Sequence, residues 1–118
     1  MAAFRILLIV LLVTVVAYTV PVIANHGMNL MPPFFGAIGV MDWQGQFNLD
    51  FAGFLVLSGL WTAWRHHFSA AGLGLALLAA SFGIPFLTIY LLVAIGKNPG
   101  DIIAVFAGPE RAKAYRAA

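Results

Sequence analysis

The sequence has no cysteine and few charged residues. Its 118 residues include six Lys and Arg, four Asp and Glu and three His, and charged residues make up 8% of the chain. Soluble domains carry roughly 25% charged residues, because polar surface must cover their core. The composition therefore excludes a soluble enzyme. The missing cysteine excludes a disulfide framework, a thiolate nucleophile and any cysteine-ligated metal or iron–sulfur site.

Basic residues are also too few to follow a nucleic acid backbone. The formal net charge is +2, and the six Lys and Arg are scattered along the sequence. Nucleic acid is therefore excluded as a partner, since its binding requires a basic patch or stripe. What the chain has in abundance is apolar residues, at 63% with a mean hydropathy of +0.99. These values predict an integral membrane protein whose first partner is the lipid bilayer.

The first apolar run covers residues 6–24 and follows Arg5. Its length predicts a transmembrane helix. One basic residue followed by an apolar run is also how a secretory signal peptide begins. In that alternative Val22 and Ala24 are the small residues before the cleavage site, and Pro21 ends the helix.

Residues 28–41 are apolar but cannot cross a bilayer. A span needs about 20 helical residues, and this segment has 14. The pair Pro32 and Pro33 prevents an unbroken helix through the segment, and Gly36 and Gly39 interrupt it further. We expect it to lie at the membrane interface or to fold back onto the helices.

A second span is predicted for residues 47–64, with Asn48 or Asp50 as its N-cap. A short polar turn then leads into a third apolar run at residues 70–96, with Ser69 as its cap. A turn this short makes the second and third spans antiparallel. As one helix the third run would be about 40 Å long, so it must tilt, kink or emerge, and Pro85 supplies a kink.

The tail at residues 101–118 is predicted as a surface helix. The fold class is therefore all-α: one membrane domain over residues 1–118 with three spans, an interfacial Pro/Gly-rich segment and a surface tail. Arg5 and Arg65 flank the first two spans on one side, whereas the loop between these spans has no Lys or Arg, which predicts a cytoplasmic N-terminus. Three spans would place the four basic residues from Lys97 onward on the opposite side, which favours the reverse orientation.

Asp50 is the carboxylate closest to the predicted bilayer interior. An ionisable group inside a span costs about 2.5 kcal/mol or more at the midplane and points to function. The alternative is that Asp50 or Asn48 only caps the second helix at the headgroup level.

The three histidines, His26, His66 and His67, are candidate ligands of a cofactor. Neutral imidazole is a common axial ligand of haem iron or chlorophyll magnesium. In a three-span arrangement His26 lies on the opposite side from the other two, and adjacent residues point apart, so no chelating pair and no metal site are predicted. The alternative is that His66 and His67 are polar residues of an interfacial turn.

A row of small residues marks a candidate helix contact. Gly72, Ala76 and Ala80 recur every four residues, and Gly83 follows. Such rows let helix backbones approach closely in membranes. The row packs either inside the chain, against the first or second span, or against a neighbouring protein or pigment.

Three short motifs carry a family resemblance: Phe-Asn-Leu-Asp-Phe at residues 47–51, Trp-Arg-His-His at 64–67 and Gly-Ile-Pro-Phe at 83–86. With these motifs, residues 46–96 resemble small bacterial membrane proteins that share a domain of unknown function. The resemblance covers about half of the chain, and residues 28–41 have no counterpart in it. It implies a three-helix protein of the bacterial inner membrane and no catalytic residues.

Two transporter and enzyme classes do not fit. Small multidrug transporters have a carboxylate inside their first span, and residues 6–24 contain none. Membrane lycopene cyclases have an acidic Pro-Glu-Glu type motif in the membrane, whereas the pair Pro109 and Glu110 lies in the tail. The sequence predicts a non-catalytic subunit that docks to or helps assemble a larger membrane complex, such as a photosynthetic or respiratory one. The alternatives are a small carrier or channel component using Asp50 and a protein that binds pigment, quinone or lipid.

Overall fold

A computed structural model describes residues 1–118 and is entirely helical, which confirms the predicted all-α class. The chain forms seven helices and no strand. Their bounds are α1 Ala2–His26, α2 Met31–Val40, α3 Trp43–Arg65, α4 Ala70–Phe82, α5 Ile84–Lys97, α6 Ile102–Ala107 and α7 Pro109–Ala117. The main packing pairs are α3 with α4, α1 with α5, and α2 with α3.

Helix α1 corresponds to the first predicted span. With 25 residues it is the one helix that is both long and apolar enough to cross a membrane. Leu8 is its only buried residue. Nearly all of its apolar surface is therefore free to contact something outside the chain.

Residues 28–41 contain a regular helix, α2, which the sequence did not predict. Pro32 and Pro33 lie in its first turn instead of breaking it. The first N–H groups of a helix have no partner within the helix, so proline loses nothing there and its fixed φ favours helix initiation. The helix ends at Met41, whose φ is +62°.

The predicted N-caps of the second span, Asn48 and Asp50, are wrong. Helix α3 begins earlier, at Trp43, and its cap is Asp42, whose carboxylate accepts a hydrogen bond from the Gly45 N–H at 2.9 Å. A carboxylate at this position binds a free backbone donor and favours the positive end of the helix dipole. Asn48 and Asp50 lie inside the helix.

A single helix over residues 70–96 is also wrong, because the chain breaks at Gly83. Ser69 caps α4 as predicted, with its hydroxyl accepting from the Gly72 N–H at 3.1 Å. Gly83 has φ +62° and ψ −134°, a conformation that glycine adopts without steric cost. Pro85 then lies in the first turn of α5, where proline is well tolerated.

The two halves of the broken run are antiparallel. Gly59 of α3 faces the carbonyl of Ala76, so α4 descends along α3 from the Ser69 turn. At the break, Gly83 lies against Phe51 of α3. Helix α5 then returns along α3, and its Tyr90 ring lies 5.6 Å from Trp61. Helices α4 and α5 therefore form a hairpin whose two open ends lie beside the end of α3.

The tail is two short helices, and the first belongs to the core. Val105 of α6 is fully buried, although the tail was predicted to lie on the surface. It packs in a cluster with Leu8 of α1 and Leu91 and Ile95 of α5. Helix α7 follows after Gly108, which has φ +94°.

All six Lys and Arg lie at one end of the molecule, which we call the basic end. It comprises the start of α1, the ends of α3 and α5, and the helices α6 and α7. Phe4 contacts Phe106 with ring centroids 5.8 Å apart, which brings the start of α1 to this end. Its basic residues are Arg5, Arg65, Lys97, Arg111, Lys113 and Arg116. The far end comprises the last turns of α1, helix α2 and the first turns of α3.

Candidate functional site

Arg65 is the centre of the basic end, and only 8% of it is exposed. Its Nε donates to the carbonyl of Val105 at 2.7 Å, and its Nη2 donates to the carbonyl of Ala104 at 3.0 Å. Its Nη1 donates to the hydroxyl of Tyr90 at 3.0 Å. No carboxylate lies within ion-pair distance of it. A buried guanidinium charge is thus surrounded by neutral acceptors alone, which is a costly arrangement.

Tyr90 connects Arg65 to His66. The Tyr90 hydroxyl also hydrogen-bonds to His66 Nε2, and the Arg65 Cζ lies 5.5 Å from the centroid of the Tyr90 ring. Burial lowers the pKa of His66, and the positive charges of Arg65, His67 and Lys97 lower it further. His66 is therefore surrounded by cations on several sides.

Two adjoining cavities open beside these residues. The first, which we call the polar cleft, has a volume of about 720 Å³ and no apolar residue in its wall. Its lining residues are Arg65, His66, His67, Ser69, Lys97, Asn98, Pro109 and Glu110. The second, which we call the apolar groove, has a volume of about 380 Å³ and lies between α4 and α5. Its apolar wall includes Leu75, Phe86, Ile89 and Val93.

Arg65, His66 and Lys97 border both cavities, and Arg65 and Lys97 carry positive charges there. Glu110 is the only carboxylate of the polar cleft, and it pairs with His67, with Nε2 and Oε2 3.0 Å apart. Lys97 has no ion pair. The polar cleft is therefore open to an anion.

Two further arginines make side-chain contacts at the basic end, one to α3 and one within the tail. Arg111 lies over the ring of Trp64, with its Cζ 4.0 Å from the centroid, and donates to the Trp64 carbonyl. Arg116 donates two hydrogen bonds to Asp101, at 2.6 and 2.7 Å. The Arg116 hydrogen bonds, with one from the Ala104 N–H, lower the pKa of Asp101 from 3.8 to about 2.

The structure separates the three candidate histidines. His26 ends α1 at the far end and is exposed, while His66 and His67 lie together in the polar cleft. The Nε2 of each of these two already contacts Tyr90 or Glu110. No group of three residues with metal-ligating side chains occurs. As axial ligands, His66 and His67 would first have to leave these partners.

The row of small residues faces elements of the same chain. Its members are Gly72, Ala76, Ala80 and Gly83. A Cβ on Gly59 of α3 would lie 3.0 Å from the Ala76 carbonyl oxygen and 3.4 Å from the Ala80 Cβ. A Cβ on Gly72 would lie 2.5 Å from the Cβ of His66. The row thus packs α4 closely against α3 and the turn between them.

Asp50 lies alone on the surface of α3. It is exposed and makes no hydrogen bond or ion pair within the chain. It borders a shallow depression of about 460 Å³ with Gly53, Phe54, Val56 and Leu57. We call these five residues the Asp50 face. Asp50 precedes Arg65 by 15 residues, or about 22 Å along the helix.

Sequence reasoning missed Arg65, Tyr90 and Lys97 as members of one site. It treated residues 70–96 as one helix, which would place Lys97 far from Arg65. The signal that was available is the Gly-x-Pro pattern at residues 83–85, because glycine permits a sharp reversal and proline favours the start of a new helix. Tyr90 is also the single tyrosine in that run.

The comparisons with known proteins add no relative to this picture. The chain matches no family model, and neither the curated proteins nor the solved structures gave a match.

Proposed function

We propose that the chain is a non-catalytic integral membrane protein of the bacterial inner membrane that docks on a larger membrane protein complex. In this proposal α1 and α3 cross the bilayer. The α4–α5 hairpin enters and leaves on the side of the basic end, which is cytoplasmic. The hairpin takes the place of the third span that the sequence predicts.

Helix lengths support the re-entrant hairpin. Helices α4 and α5 have 13 and 14 residues, which gives each a length of about 20 Å. A hydrocarbon core of about 30 Å is too thick for either. Helix α3 has 23 residues and is long enough, but it is less apolar than α1 because polar residues occupy its first turns.

The charge distribution supports the same topology. The basic end holds all six Lys and Arg, while residues 25–46 contain none. Cytoplasmic loops carry the excess of Lys and Arg in membrane proteins. With three spans, the basic residues of the tail would lie on the opposite side of the membrane from Arg5 and Arg65. With a re-entrant hairpin, all of these basic residues lie on one side.

The packing of α1 favours a retained helix over a signal peptide. Leu8 is 4% exposed and shares a cluster with Leu91, Ala94, Ile95 and Val105. A signal peptide is removed from the mature protein and does not need to fill its core. Removal of α1 would expose this cluster.

The observation that carries the docking proposal is the unpartnered Asp50. With Arg65 at the membrane surface, a distance of about 22 Å places Asp50 within the hydrocarbon core of about 30 Å. A carboxylate facing lipid there is unfavourable, and such groups almost always face a bundle interior, a cavity or a partner. A neighbouring subunit that supplies a donor or a cation to the Asp50 face satisfies this requirement.

The same carboxylate supports a second candidate function, a carrier or channel component. A proton or cation carrier needs a carboxylate that gains and loses a proton or ion within the membrane. Docking requires that residue 50 can form a hydrogen bond to the partner subunit. A carrier requires that residue 50 can gain and lose a proton or ion.

The test compares variants of the tagged full-length chain in mild detergent on native gels. We expect wild-type protein to migrate as a complex and Asp50→Leu to migrate alone, because leucine offers the partner no acceptor. Leu49→Ala is the matched control, since Leu49 is also exposed on α3 but lies outside the Asp50 face, and it should assemble normally. Normal assembly of Asp50→Leu would overturn docking through this face.

The carrier alternative makes a different prediction for the conservative variants. If Asp50→Asn assembles fully but fails to complement a deletion of the gene, while Asp50→Glu complements, the chain is a carrier. An absorption spectrum of the purified complex separately tests the pigment alternative, which requires a visible band.

A further inference from the structure

We propose that the polar cleft and the apolar groove together bind one anionic phospholipid, with its phosphate in the polar cleft and an acyl chain in the groove between α4 and α5. This site lies at the basic end, whereas docking is assigned to the Asp50 face of the other half of α3. The two proposals can therefore fail independently.

The buried charge of Arg65 has no compensating anion within the chain. This side chain is more than nine-tenths buried, borders both cavities, and has carbonyl and hydroxyl partners but no anion. Its three hydrogen bonds use three of the five guanidinium N–H donors. A phosphate in the polar cleft would place a negative charge near this buried cation and offset part of the cost of its burial.

The charges of the cleft that lack an ion pair are both positive. Lys97 is exposed and has no ion pair, and Arg65 lines the same cleft. The carboxylate of Glu110 is engaged with His67. Basic pockets between membrane helices on the cytoplasmic side are sites where anionic lipid headgroups bind.

The polar cleft and the apolar groove share part of their walls. Arg65, His66 and Lys97 form the border between the two cavities, and the apolar groove begins beside them. Ile89 and Val93 of α5 and Leu75 of α4 line the groove and have no covering element in the chain. A phospholipid matches this order of surfaces. A quinone matches it less well, because its neutral ring does not require the two cations Arg65 and Lys97.

The experiment measures lipid binding to the delipidated full-length chain by native mass spectrometry in detergent. Phosphatidylglycerol and phosphatidylcholine with identical acyl chains are compared at equal concentration. We expect phosphatidylglycerol to bind and phosphatidylcholine to bind far more weakly. Equal binding of both lipids would overturn the proposal, since it would show no role for the cationic cleft.

Charge variants locate the site. Lys97→Gln should weaken phosphatidylglycerol binding by about fivefold, the contribution of one basic residue near an anionic surface, and Lys97→Arg should bind like wild type. Lys113→Gln is the matched control, because Lys113 is also basic and exposed but lies outside the cleft. An equal loss in Lys97→Gln and Lys113→Gln would overturn the proposal in favour of nonspecific attraction.

A variant of the apolar groove distinguishes binding of a lipid from binding of a free phosphate. Val93→Trp fills the apolar groove and should reduce phosphatidylglycerol binding, whereas Leu60→Trp, at another exposed apolar position, should not. Inorganic phosphate at the same concentration should neither bind detectably nor displace the lipid. If phosphate binds as tightly as phosphatidylglycerol, or if Val93→Trp binds lipid normally, the site does not hold an acyl chain and the proposal is wrong.

Discussion

The basic end and the far end of this small protein are built on different principles. At the basic end, long polar side chains reach the backbone of distant segments, as Arg65 reaches α6 and Trp61 Nε1 donates to the Phe106 carbonyl at 3.0 Å. At the far end, α2 buries no residue, and one side-chain bond, from Asn48 to the Phe34 carbonyl at 3.1 Å, joins it to α3. Contacts within the chain thus hold the basic end together, whereas most of the far end is not covered by any part of the chain.

This contrast is the reason why we propose a different partner for each end. The far half of α1 contributes no buried residue, and the Asp50 face of α3 is covered by no other helix. Apolar surface of this extent is favourable only against lipid or another protein. At the basic end the uncovered space is a polar cleft with positive charges, which fits a single lipid headgroup better than an apolar protein surface.

The largest expected effect is on labelling from one side of the membrane. Because the chain has no cysteine, single cysteines can be introduced at Ala3, Met28 and Ala118 and tested with an impermeant maleimide on intact cells. A re-entrant hairpin predicts that Met28→Cys is labelled while Ala3→Cys and Ala118→Cys are both protected. Opposite results for Ala3→Cys and Ala118→Cys would restore three spans.

The next largest effect concerns the centre of the basic end. Arg65→Met removes three hydrogen bonds and leaves the buried Val105 carbonyl without its side-chain partner. We expect a loss of about 3 kcal/mol in the free energy of unfolding, because hydrogen bonds to charged groups are worth about 1.5 to 3 kcal/mol each and removal of the buried charge offsets part of the loss. Arg111→Met, the same change at a less buried arginine of this end, should cost less than about 1 kcal/mol. Urea unfolding in mild detergent measures both, and equal losses would contradict the central position of Arg65.

A smaller effect is expected at the contact between α3 and α4. Gly59→Ala places a methyl group 3.0 Å from the Ala76 carbonyl oxygen, which forces the helices apart at a cost of about 1 to 3 kcal/mol. Gly53→Ala, six residues earlier on the same helix, meets nothing within 4 Å and should gain up to about 1 kcal/mol of helix propensity. The same unfolding measurement applies, and a gain at both positions would mean that α4 does not pack closely on α3.

Several features of the fold follow from local rules and were predicted. The all-helical class, the first apolar helix and the Ser69 cap depend on apolar runs and capping chemistry that lie within a few residues of one another. The small residues of α4 also have a local signal, their four-residue spacing. Such features need no knowledge of where distant segments meet.

The errors have a shared physical origin. Whether residues 70–96 form one helix or a hairpin depends on the backbone conformation of Gly83 and on the packing of α5 against α1, which is nonlocal. The caps were misplaced because Asp42, five residues before the expected start at residue 47, can also cap a helix. Once the hairpin was missed, Arg65, Tyr90 and Lys97 could not be recognised as one site.

The smallest expected effect concerns the exposed pair of Asp101 and Arg116 at the edge of the basic end. Its hydrogen bonds lower the pKa of Asp101 to about 2 in the folded chain, against 3.8 for an unperturbed carboxyl group. Because the folded state holds the ionised form, the pair stabilises the fold above pH 3.8, and this contribution disappears as the pH falls through about 2. Asp101→Asn should therefore lower the melting temperature slightly at neutral pH, and its difference from wild type should vanish near pH 2. Melting curves of both proteins across this range test the assignment, and a difference that persists unchanged at the lowest pH would show that the effect of the substitution does not come from the ionised carboxylate.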